Sequence, residues 1–578
     1  MAHFETLRHL LGFGHIPVPG RRDRHGPGFP RILSGRSGTG AGLALALAVA
    51  LFQGISPDVG AGQEPSTARF RVNYPESAHP GPVTGRVFVM ISTTDSREPR
   101  LQIGRDGTPF FGRDVEGLRA GEFGVIDETD IGSPLESLSE LPAGDYFVQG
   151  MVNIYTEFHR ADGHVVWMHN DQWEGQAFQR SPGNLYSEVV RVHLDPSQGF
   201  DIELEASNVI PPIPFPEDNE WVKRFRFESP TLSGFWGEPI YIGATVLLPR
   251  DYEGSSISYP VLYKQGHFSS GDPLRFQEGS EIHQEWIKDD FPRMMVVTFQ
   301  HPTPYFDDSY AVNSVNVGPY GDAIIEELIP EIERRFRAIP EPWARWLDGG
   351  STGGWESLAL QLFYPDFFGG VWSYCPDPVT FTNVEGINAY EDDNAYFKTR
   401  GWRKVPTVNS RDVDGTMRMT SRQRNYYELA KGTKGRSGEQ LDIWSAVFGP
   451  LGDDGYFKPL FDKRTGVIDP TVAEYWRENY DLLEYMKRNW SWLGPKIEGK
   501  IHVYMGDMDT YRLEQAVFEM DAWMKTTTDP HYPGFFMYGD RKPHCWSGPV
   551  TTAERLKEMA MHGLRYKPEG TTTPWWRY

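Results

Sequence analysis

The segment Gly349-Gly350-Ser351-Thr352-Gly353 constrains the fold more than any other part of this sequence. An apolar run at residues 344–347 precedes it, and residues 355–363 after it have helix-forming character. When a strand turns directly into a helix, the residue at the turn adopts a strained backbone conformation, so its neighbours must be nearly free of side chain. The pattern G-x-S-x-G in this setting therefore predicts a sharp strand–serine–helix turn, with the Ser351 hydroxyl exposed above a sheet.

The pentapeptide alone also fits a simpler interpretation. The chain has 60 glycines, so a glycine-rich loop that holds an ordinary serine is the alternative. The strand and helix patterns on either side favour the turn over the loop, because a loop serine needs neither.

Length and charge limit the class of protein. A chain of 578 residues is too long for one core of ordinary size, so two or three domains are expected. The formal net charge is −22, and no basic face for phosphates is evident, which argues against a nucleic-acid partner. The acidic excess suits solubility instead.

The N-terminal 62 residues have the order of a signal peptide. Arginines between positions 21 and 36 precede an apolar stretch at residues 41–52, and small residues follow at 59–62. The apolar stretch is 12 residues long, which is short for a bilayer span. We therefore expect residues 1–62 to direct export, to the periplasm or out of the cell, with an uncleaved membrane anchor as the alternative. After processing, no stable membrane span is expected.

The chain has only two cysteines, Cys375 and Cys545. Two cysteines make neither a disulfide scaffold nor a cysteine metal site. In an exported protein they form either one disulfide or two buried free thiols, and the sequence leaves both open. Histidine spacing typical of a metal site, phosphate loops and dinucleotide fingerprints are not found either, so no cofactor and no metal are expected.

The chain divides into regions of different periodicity. Residues 66–210 alternate between polar and apolar positions in several short runs, which predicts an all-β domain, an immunoglobulin-like sandwich. Residues 211–218 contain four prolines and are typical of a linker. From 219 to 578, strand and helix patterns alternate, including a helix over 321–336, which predicts an α/β fold with a mainly parallel sheet.

Residues 377–498 interrupt that alternation. The segment is rich in tryptophan and tyrosine, and residues 471–489 have helical character. A segment of this length is large for a connection between two core strands. We interpret it as a cap over the site, with a packed subdomain that only stabilises as the alternative.

Candidate partners for Ser351 follow the last two strand patterns. A serine hydroxyl needs a base to take its proton and an acid to orient that base. Asp507 and Asp509 come after the strand at 500–505, and we favour Asp509; the alternative for either is a helix cap. His544 follows the strand at 534–538 and is the expected base, with His531 as a weak rival.

Charge that develops on an acyl oxygen also needs hydrogen-bond donors. One is expected from the backbone N–H of Thr352, which follows the serine. The second is expected from the loop after an early strand, through the backbone N–H of His267 or of Phe268.

Several of these segments resemble the secreted branch of the esterase D-like α/β-hydrolases, which includes feruloyl and acetylxylan esterases, enterochelin esterases and mycolyltransferases. The segments are Tyr259-Pro-Val-Leu-Tyr263, residues 318–333, residues 349–355, Gly506-Asp-Met-Asp509 and His544-Cys-Trp-Ser-Gly548. The resemblance covers about residues 240–560 apart from the insertion. It implies an α/β-hydrolase fold and favours Asp509, since the family's acid is the third residue after a glycine. The family's usual His-Gly is here Gln265-Gly266-His267, so the second donor stays open.

Together these features predict an exported serine hydrolase that cleaves carboxylic esters through Ser351, His544 and Asp509. Its substrate is expected to be a small molecule or an ester linked to a polysaccharide. One alternative is a peptidase of the prolyl-oligopeptidase type, whose serine turn is similar, although no blade repeat is seen. Another is a non-catalytic protein that binds carbohydrate or protein on a hydrolase fold.

Overall fold

Two regions with different sheets make up residues 67–576, the part of the chain that this computed structural model describes. The first region contains twelve strands: β1 (Ala68–Asn73), β2 (Val83–Ser92), β3 (Phe110–Leu118), β4 (Gly124–Asp127), β5 (Gly132–Ser133), β6 (Gly144–Ile154), β7 (Thr156–His159), β8 (Val165–Met168), β9 (Leu185–Tyr186), β10 (Val190–Leu194), β11 (Phe200–Glu205) and β12 (Asn208–Val209). Its regular helices are three short 3₁₀ turns, Pro99–Leu101, Leu138–Glu140 and Phe178–Arg180.

The strands of the first region form two main sheets. One has the order β11-β1-β4, and the other has the order β12-β9-β6-β2-β3-β5 with β10 paired to β6; β7 and β8 form a separate ribbon. Alternate residues of β1 and β2, such as Phe70, Val72, Val87 and Val89, are buried in one shared core. This alternation is what made the strands predictable. The immunoglobulin-like sandwich and the boundaries at 66–210 and 211–218 stay predictions.

The second region contains fourteen further strands and eleven α-helices. The strands are β13 (Val222–Glu228), β14 (Tyr241–Leu247), β15 (Val261–Gln265), β16 (Met295–Gln300), β17 (Asn313–Ser314), β18 (Gly318–Pro319), β19 (Arg345–Gly350), β20 (Gly370–Tyr374), β21 (Phe397–Arg400), β22 (Arg403–Pro406), β23 (Val408–Arg411), β24 (Met417–Thr420), β25 (Ile501–Gly506) and β26 (Phe535–Gly539). The helices are α1 (Pro230–Trp236), α2 (Glu281–Trp286), α3 (Tyr320–Ala323), α4 (Ile329–Arg335), α5 (Thr352–Phe363), α6 (Ser421–Lys431), α7 (Gln440–Phe448), α8 (Pro470–Asn479), α9 (Leu482–Ile497), α10 (Glu514–Met524) and α11 (Thr552–Tyr566).

Eight of these strands form one sheet with the order β13-β14-β16-β15-β19-β20-β25-β26. β13, β14 and β16 pair antiparallel, and every pairing from β16 to β26 is parallel. The carboxyl ends of parallel strands meet at one edge of a sheet, where ligands bind in open α/β folds. Residues that follow β15, β19, β20, β25 and β26 are therefore brought to the same edge.

The inner strands of the sheet, such as β16, β19 and β20, are buried on both faces. β16 reads Met-Val-Val-Thr-Phe-Gln, and all of these residues except Thr298 are buried. A strand covered on both sides by helices shows this continuous apolar character instead of alternation. The helix predicted at 321–336 is confirmed as a run through α3, a π-helical turn at Ile324–Leu328, and α4.

The long insertion between β20 and β25 has structure of its own. It contains two antiparallel ribbons, β21–β22 and β23–β24, and helices α6 to α9. The helical character at residues 471–489 is divided between α8 and α9 at Asp481. The Asp481 carboxylate accepts the backbone N–H of Glu484 at 2.8 Å and so caps α9, which begins a new helix there. The role of the insertion as a cap stays a prediction.

The predicted signal peptide, residues 1–62, lies outside the described residues. Within residues 67–576, no helix combines the length and the apolar character that crossing a bilayer demands.

Candidate active site

The serine turn has the strained geometry that its sequence predicts. Ser351 lies between β19 and α5 with φ 58° and ψ −122°, a conformation that is costly for a residue with a side chain. A Cβ atom on Gly349 would lie 2.2 Å from the carbonyl oxygen of Gly353, and a Cβ on Gly353 would lie 2.3 Å from that of Gln265. Both glycines are required because the backbone segments touch there.

The structure brings Ser351, His544 and Asp509 together in one line of hydrogen bonds. His544 Nε2 lies 2.9 Å from Ser351 Oγ, and His544 Nδ1 lies 2.7 Å from Asp509 Oδ2. The three residues follow β19, β26 and β25, so three neighbouring parts of one sheet edge position them. The arrangement allows a proton to pass from the hydroxyl to the imidazole while the carboxylate orients the ring.

The two carboxylates after β25 have different environments. Asp509 is fully buried, and its Oδ1 accepts the backbone N–H of Tyr511 at 2.8 Å while Oδ2 faces His544. Asp507 accepts the backbone N–H of Arg541 at 2.6 Å, and no contact with His544 is seen. Asp509 thus caps the turn before α10 and also contacts His544, so the two interpretations of this residue are compatible.

The pKa of His544 is shifted by its neighbours. Burial alone would lower it, but the hydrogen bonds and negative charges of Asp509 and Cys545 outweigh burial and raise the pKa of His544 to about 11. The surroundings therefore stabilise the imidazolium, which is the form the ring takes after it accepts a proton from serine. They also delay formation of the neutral base until alkaline pH.

Thr352, the first expected donor for a developing oxyanion, directly follows the serine. Thr352 is the first residue of α5, so its backbone N–H has no partner inside the helix, and the positive end of the helix dipole points to the same place. His267 Nδ1 lies 3.0 Å from Asp307 Oδ1, and the ring of Phe268 lies edge-on to Trp173 at 5.2 Å. Both side chains are thus engaged in packing, and which of the two backbone N–H groups donates stays a prediction.

Asp377 is a buried carboxylate next to the serine that sequence reasoning missed. Its Oδ1 lies 3.3 Å from Ser351 Oγ. Its Oδ2 accepts hydrogen bonds from Tyr310 at 2.6 Å, Thr352 at 3.1 Å and Gln440 at 3.0 Å. Burial raises the pKa of Asp377, against the hydrogen bond from Tyr310 and the charge of His544. The available signal was its position three residues after β20, at the same sheet edge.

The first region of the chain also reaches the site. Arg105 donates a hydrogen bond to the Tyr511 hydroxyl at 3.0 Å, and the Tyr511 ring lies edge-on to the His544 ring at 4.9 Å. No local pattern marks Arg105, because its contact joins segments about 400 residues apart. Arg105 and Gln440 give the site a polar rim from outside the sheet.

A cavity of about 460 Å³ lies beside the serine turn, and its lining includes Gly266, His267, Gly350, Tyr374 and Cys545. Two clusters near it offer donor atoms that a metal ion could use. One consists of Cys375, His544 and Cys545, and the other of His267, Asp307 and Asp308. Both clusters have internal partners, since His544 faces Asp509 and His267 faces the two aspartates.

Comparisons with known proteins agree with the motifs. Residues 241–425 match the family described as "Putative esterase". Among curated proteins, an endo-1,4-beta-xylanase/feruloyl esterase of Xylanibacter ruminicola is 28% identical over 144 residues, which is 23% of this chain and 20% of that protein. The chain thus matches about a fifth of the length of this relative.

Solved structures with some similarity include a ferulic acid esterase, with a TM-score of 0.34, 15% identity, and coverage of 60% of this chain and 99% of that one. An S-formylglutathione hydrolase from Agrobacterium tumefaciens has a TM-score of 0.32, 12% identity, and coverage of 60% and 95%. These structural similarities are low, and the similarity to esterases is based on the family match at residues 241–425. The match at residues 241–425 agrees with the esterase resemblance of the serine turn.

Proposed function

We propose that this protein hydrolyses carboxylic esters through an acyl-enzyme on Ser351. The observation that carries the proposal is the continuous pair of contacts at His544, 2.9 Å to Ser351 Oγ and 2.7 Å to Asp509 Oδ2. A hydroxyl, an imidazole and a buried carboxylate in this order activate an otherwise poor nucleophile. The esterase family match supports the same reaction.

In the proposed mechanism, Ser351 Oγ attacks the acyl carbon while His544 Nε2 takes its proton. The tetrahedral oxyanion is stabilised by the backbone N–H of Thr352 and by one from His267 or Phe268. His544 then returns the proton to the leaving alcohol as the C–O bond breaks, which leaves the acyl group on Ser351. Water, deprotonated by His544, attacks this ester, and the acid is released as the serine is regenerated. Asp509 keeps the imidazole in the required tautomer throughout.

The proposed architecture is an α/β-hydrolase domain over residues 219–578. The strand order of the eight-stranded sheet and its parallel pairings support it. The first region is proposed as an immunoglobulin-like sandwich at 66–210, joined through the proline-rich linker 211–218. Residues 377–498 are proposed to act as a cap, which the contact of Gln440 with the side chain of Thr352, the residue after the nucleophile, supports.

The proposed substrates are small esters or esters linked to a polysaccharide, cleaved outside the cytoplasm after export through residues 1–62. The match to a xylanase/feruloyl esterase supports this substrate class. The rim residue Arg105 uses one N–H for Tyr511, and its guanidinium has further N–H groups for a polar alcohol portion.

The test is a panel of 4-nitrophenyl acetate, methyl ferulate and longer-chain 4-nitrophenyl esters, with a 4-nitroanilide of the same acyl group for comparison. Ser351→Ala should lower kcat by at least about a thousandfold on every ester that the wild type cleaves. Ser256→Ala, in an exposed loop, is the matched control and should retain full activity. Equal turnover by wild type and Ser351→Ala would remove Ser351 from the mechanism, and faster anilide than ester cleavage would favour a peptidase.

A fluorophosphonate probe provides a second readout that needs no substrate choice. The wild type should be labelled on Ser351 and the Ser351→Ala variant should not. If the folded wild type resists the probe and cleaves nothing in the panel, the protein is a binding protein on a hydrolase fold.

A further inference from the structure

The two cysteines of the chain lie next to each other beside the serine turn. Cys375 follows the end of β20, and Cys545 directly follows His544. The two sulfur atoms and a ring nitrogen of His544 all lie within 4.8 Å of one another. A Cβ atom on Gly350 would lie 3.7 Å from the sulfur of Cys545 and 3.9 Å from that of Cys375. Both thiols therefore converge on the residue that precedes Ser351.

The backbone at both cysteines is strained. Cys375 has φ 38° and Cys545 has φ 61°, in the left-handed region that residues with a Cβ rarely occupy. Such a conformation is costly and persists only where its surroundings require it. At Cys375 the backbone N–H donates to the carbonyl of Tyr504 at 2.8 Å, which fixes the position of this thiol. Two strained positions thus direct the chain's two thiols to one point.

We propose that Cys375 and Cys545 form a disulfide that ties the His544 loop to the end of β20 beside the nucleophile. The crosslink depends on the export proposed above, since disulfides persist in oxidising compartments. Its effect on His544 depends on the proposed hydrolase function, but the crosslink itself does not. It joins residues 170 positions apart, a long loop whose closure restricts the unfolded chain.

The oxidant is a protein or small-molecule disulfide. Cys545 is exposed and lines the cavity of about 460 Å³, which gives such an oxidant access. A hydrogen bond from Cys375 and the neighbouring His544 lower the pKa of Cys545 to about 5, against burial, so it is a thiolate at neutral pH. Cys375 is buried and inaccessible to the oxidant.

The reaction is thiol–disulfide exchange. The Cys545 thiolate attacks one sulfur of the oxidant, whose S–S bond breaks and releases a first thiolate. Cys375 then loses its proton, attacks the sulfur of Cys545 in the mixed disulfide, and displaces the second thiolate. Overall, the two cysteines lose two protons and two electrons, and the oxidant gains them as two thiols.

The crosslink also removes a negative charge next to His544. The charged groups that face this ring are Asp509 after β25, Asp377 after β20, and the thiol pair. Hydrogen bonding and charge from Cys545 contribute to the raised pKa of His544, after that of Asp509. A disulfide sulfur carries no charge, so the neutral base forms at lower pH in the oxidised enzyme than in the reduced one.

The first experiment counts thiols in the full chain isolated from an oxidising compartment and denatured without reductant. We expect no reactive thiol before reduction and two after it, with a mass gain of two hydrogens and a non-reduced peptide that joins residues 375 and 545. Two reactive thiols before reduction would overturn the crosslink. In the native protein, a mass excess that disappears with a chelator would identify the cluster as a metal site and would equally overturn the crosslink. This readout needs no esterase activity, so its failure is distinct from failure of the proposed function.

The second experiment measures the pH at which fluorophosphonate labelling of Ser351 rises, in oxidised and reduced protein. The rise should occur at lower pH in the oxidised form, because the Cys545 thiolate is absent. Cys375→Ser keeps the thiolate and should behave as the reduced protein does, whereas Cys545→Ser lacks it and should behave as the oxidised protein even with reductant. If the disulfide acted only as a structural tether, Cys375→Ser and Cys545→Ser would have the same pH profile. Identical profiles in the oxidised protein, the reduced protein and both variants would overturn the proposed effect of Cys545 on the pKa of His544.

Discussion

The core sheet and the insertion at residues 377–498 meet at the same site, but they are built differently. The sheet is held by apolar strands, and its contribution to the site is a set of residues at strand ends. The insertion buries charges: Arg424, Glu428, Lys431, Glu439, Asp442 and Lys463 are all shielded from solvent or nearly so. Apolar packing fixes the position of a strand, whereas buried ions fix which partner each helix accepts.

The buried ions of the insertion are matched in sign. Glu439 on the segment before α7 accepts Lys431 Nζ at 2.6 Å and Arg424 Nη1 at 3.2 Å, both from α6. Burial would raise the pKa of Glu439, but the charges of Lys431 and Arg424 hold it far below its ordinary value. These pairs join α6 and α7, and α7 carries Gln440 to Asp377. The ion pairs therefore position the start of α7, which carries Gln440 at the edge of the active site.

The largest expected effect belongs to the sheet. Asp509→Asn should lower kcat about 10⁴-fold, because the amide favours the wrong tautomer of His544 while the shape is retained. Ester turnover at saturating substrate checks this. Asp507→Asn is the matched control, two residues away and without contact to His544, and it should retain most activity. If Asp507→Asn lost more than Asp509→Asn, the acid would be misassigned.

The corresponding substitution in the insertion, Glu439→Gln, should lower the stability of the protein. Glu439→Gln leaves Lys431 buried without a counter-charge and leaves Arg424 with Glu428 alone, which should cost about 3–5 kcal/mol of the free energy of unfolding. Urea denaturation at pH 7 measures it. Because the folded pKa of Glu439 is depressed, its contribution is present above the unfolded value of about 4.3 and is lost as pH falls below it. The difference in the free energy of unfolding between wild type and Glu439→Gln should therefore become smaller at acidic pH. A difference that does not change with pH would contradict the proposed role of the Glu439 charge.

Asp377 lies where the insertion leaves β20, and its substitution tests the contact between the insertion and the core sheet. Asp377→Asn replaces an acceptor of three hydrogen bonds by an amide, one end of which is a donor, so at least one of Tyr310, Thr352 and Gln440 loses its partner. Because Thr352 and Ser351 both contact Asp377, the nucleophile and its neighbouring donor lose alignment, and kcat/KM should fall about tenfold to a hundredfold. Gln440→Ala removes only the insertion's contribution and should have a smaller effect on the same ester. Equal losses in both variants would mean that the insertion positions Asp377 entirely.

The pH dependence of turnover tests the contribution of Asp509 to the pKa of His544. The pKa of His544 is raised above its ordinary value, so the neutral base is scarce at neutral pH and kcat/KM should rise as pH increases. Asp509→Asn removes the main charge that raises this pKa, so the residual activity of that variant should rise at lower pH. A profile that peaks below neutral pH in the wild type would contradict the proposed base.

The sequence predicts the site residues of the core sheet better than those of the insertion and of the first region. Ser351, His544 and the pair Asp507 and Asp509 could be named because each follows a strand pattern in an ordered series, and the choice of Asp509 also used the family resemblance. Asp377 obeys the same rule after β20, but the insertion begins at this residue, and no later strand pattern follows it closely. Arg105 and Gln440 could not be found, because their positions depend on packing between segments that no local periodicity connects. The break at Asp481 was missed since a cap inside a helical pattern requires knowledge of its partners.

The smallest expected effect lies where the insertion meets the first region of the chain. Arg422 on α6 pairs with Glu136 at a partly exposed position, while the buried Arg86 donates to the carbonyl groups of Leu429 and Ala430 at the end of the same helix. Arg422→Gln should change the free energy of unfolding by less than about 1 kcal/mol, since solvent screens the pair. Arg86→Gln removes the donor to the buried carbonyl groups and leaves Asp114 with Arg436 and Thr433 only, so it should cost more, about 1–3 kcal/mol. Urea denaturation of both variants decides the order, and if Arg422→Gln were the more damaging, the contact between insertion and first region would depend on its exposed rim and not on its buried centre.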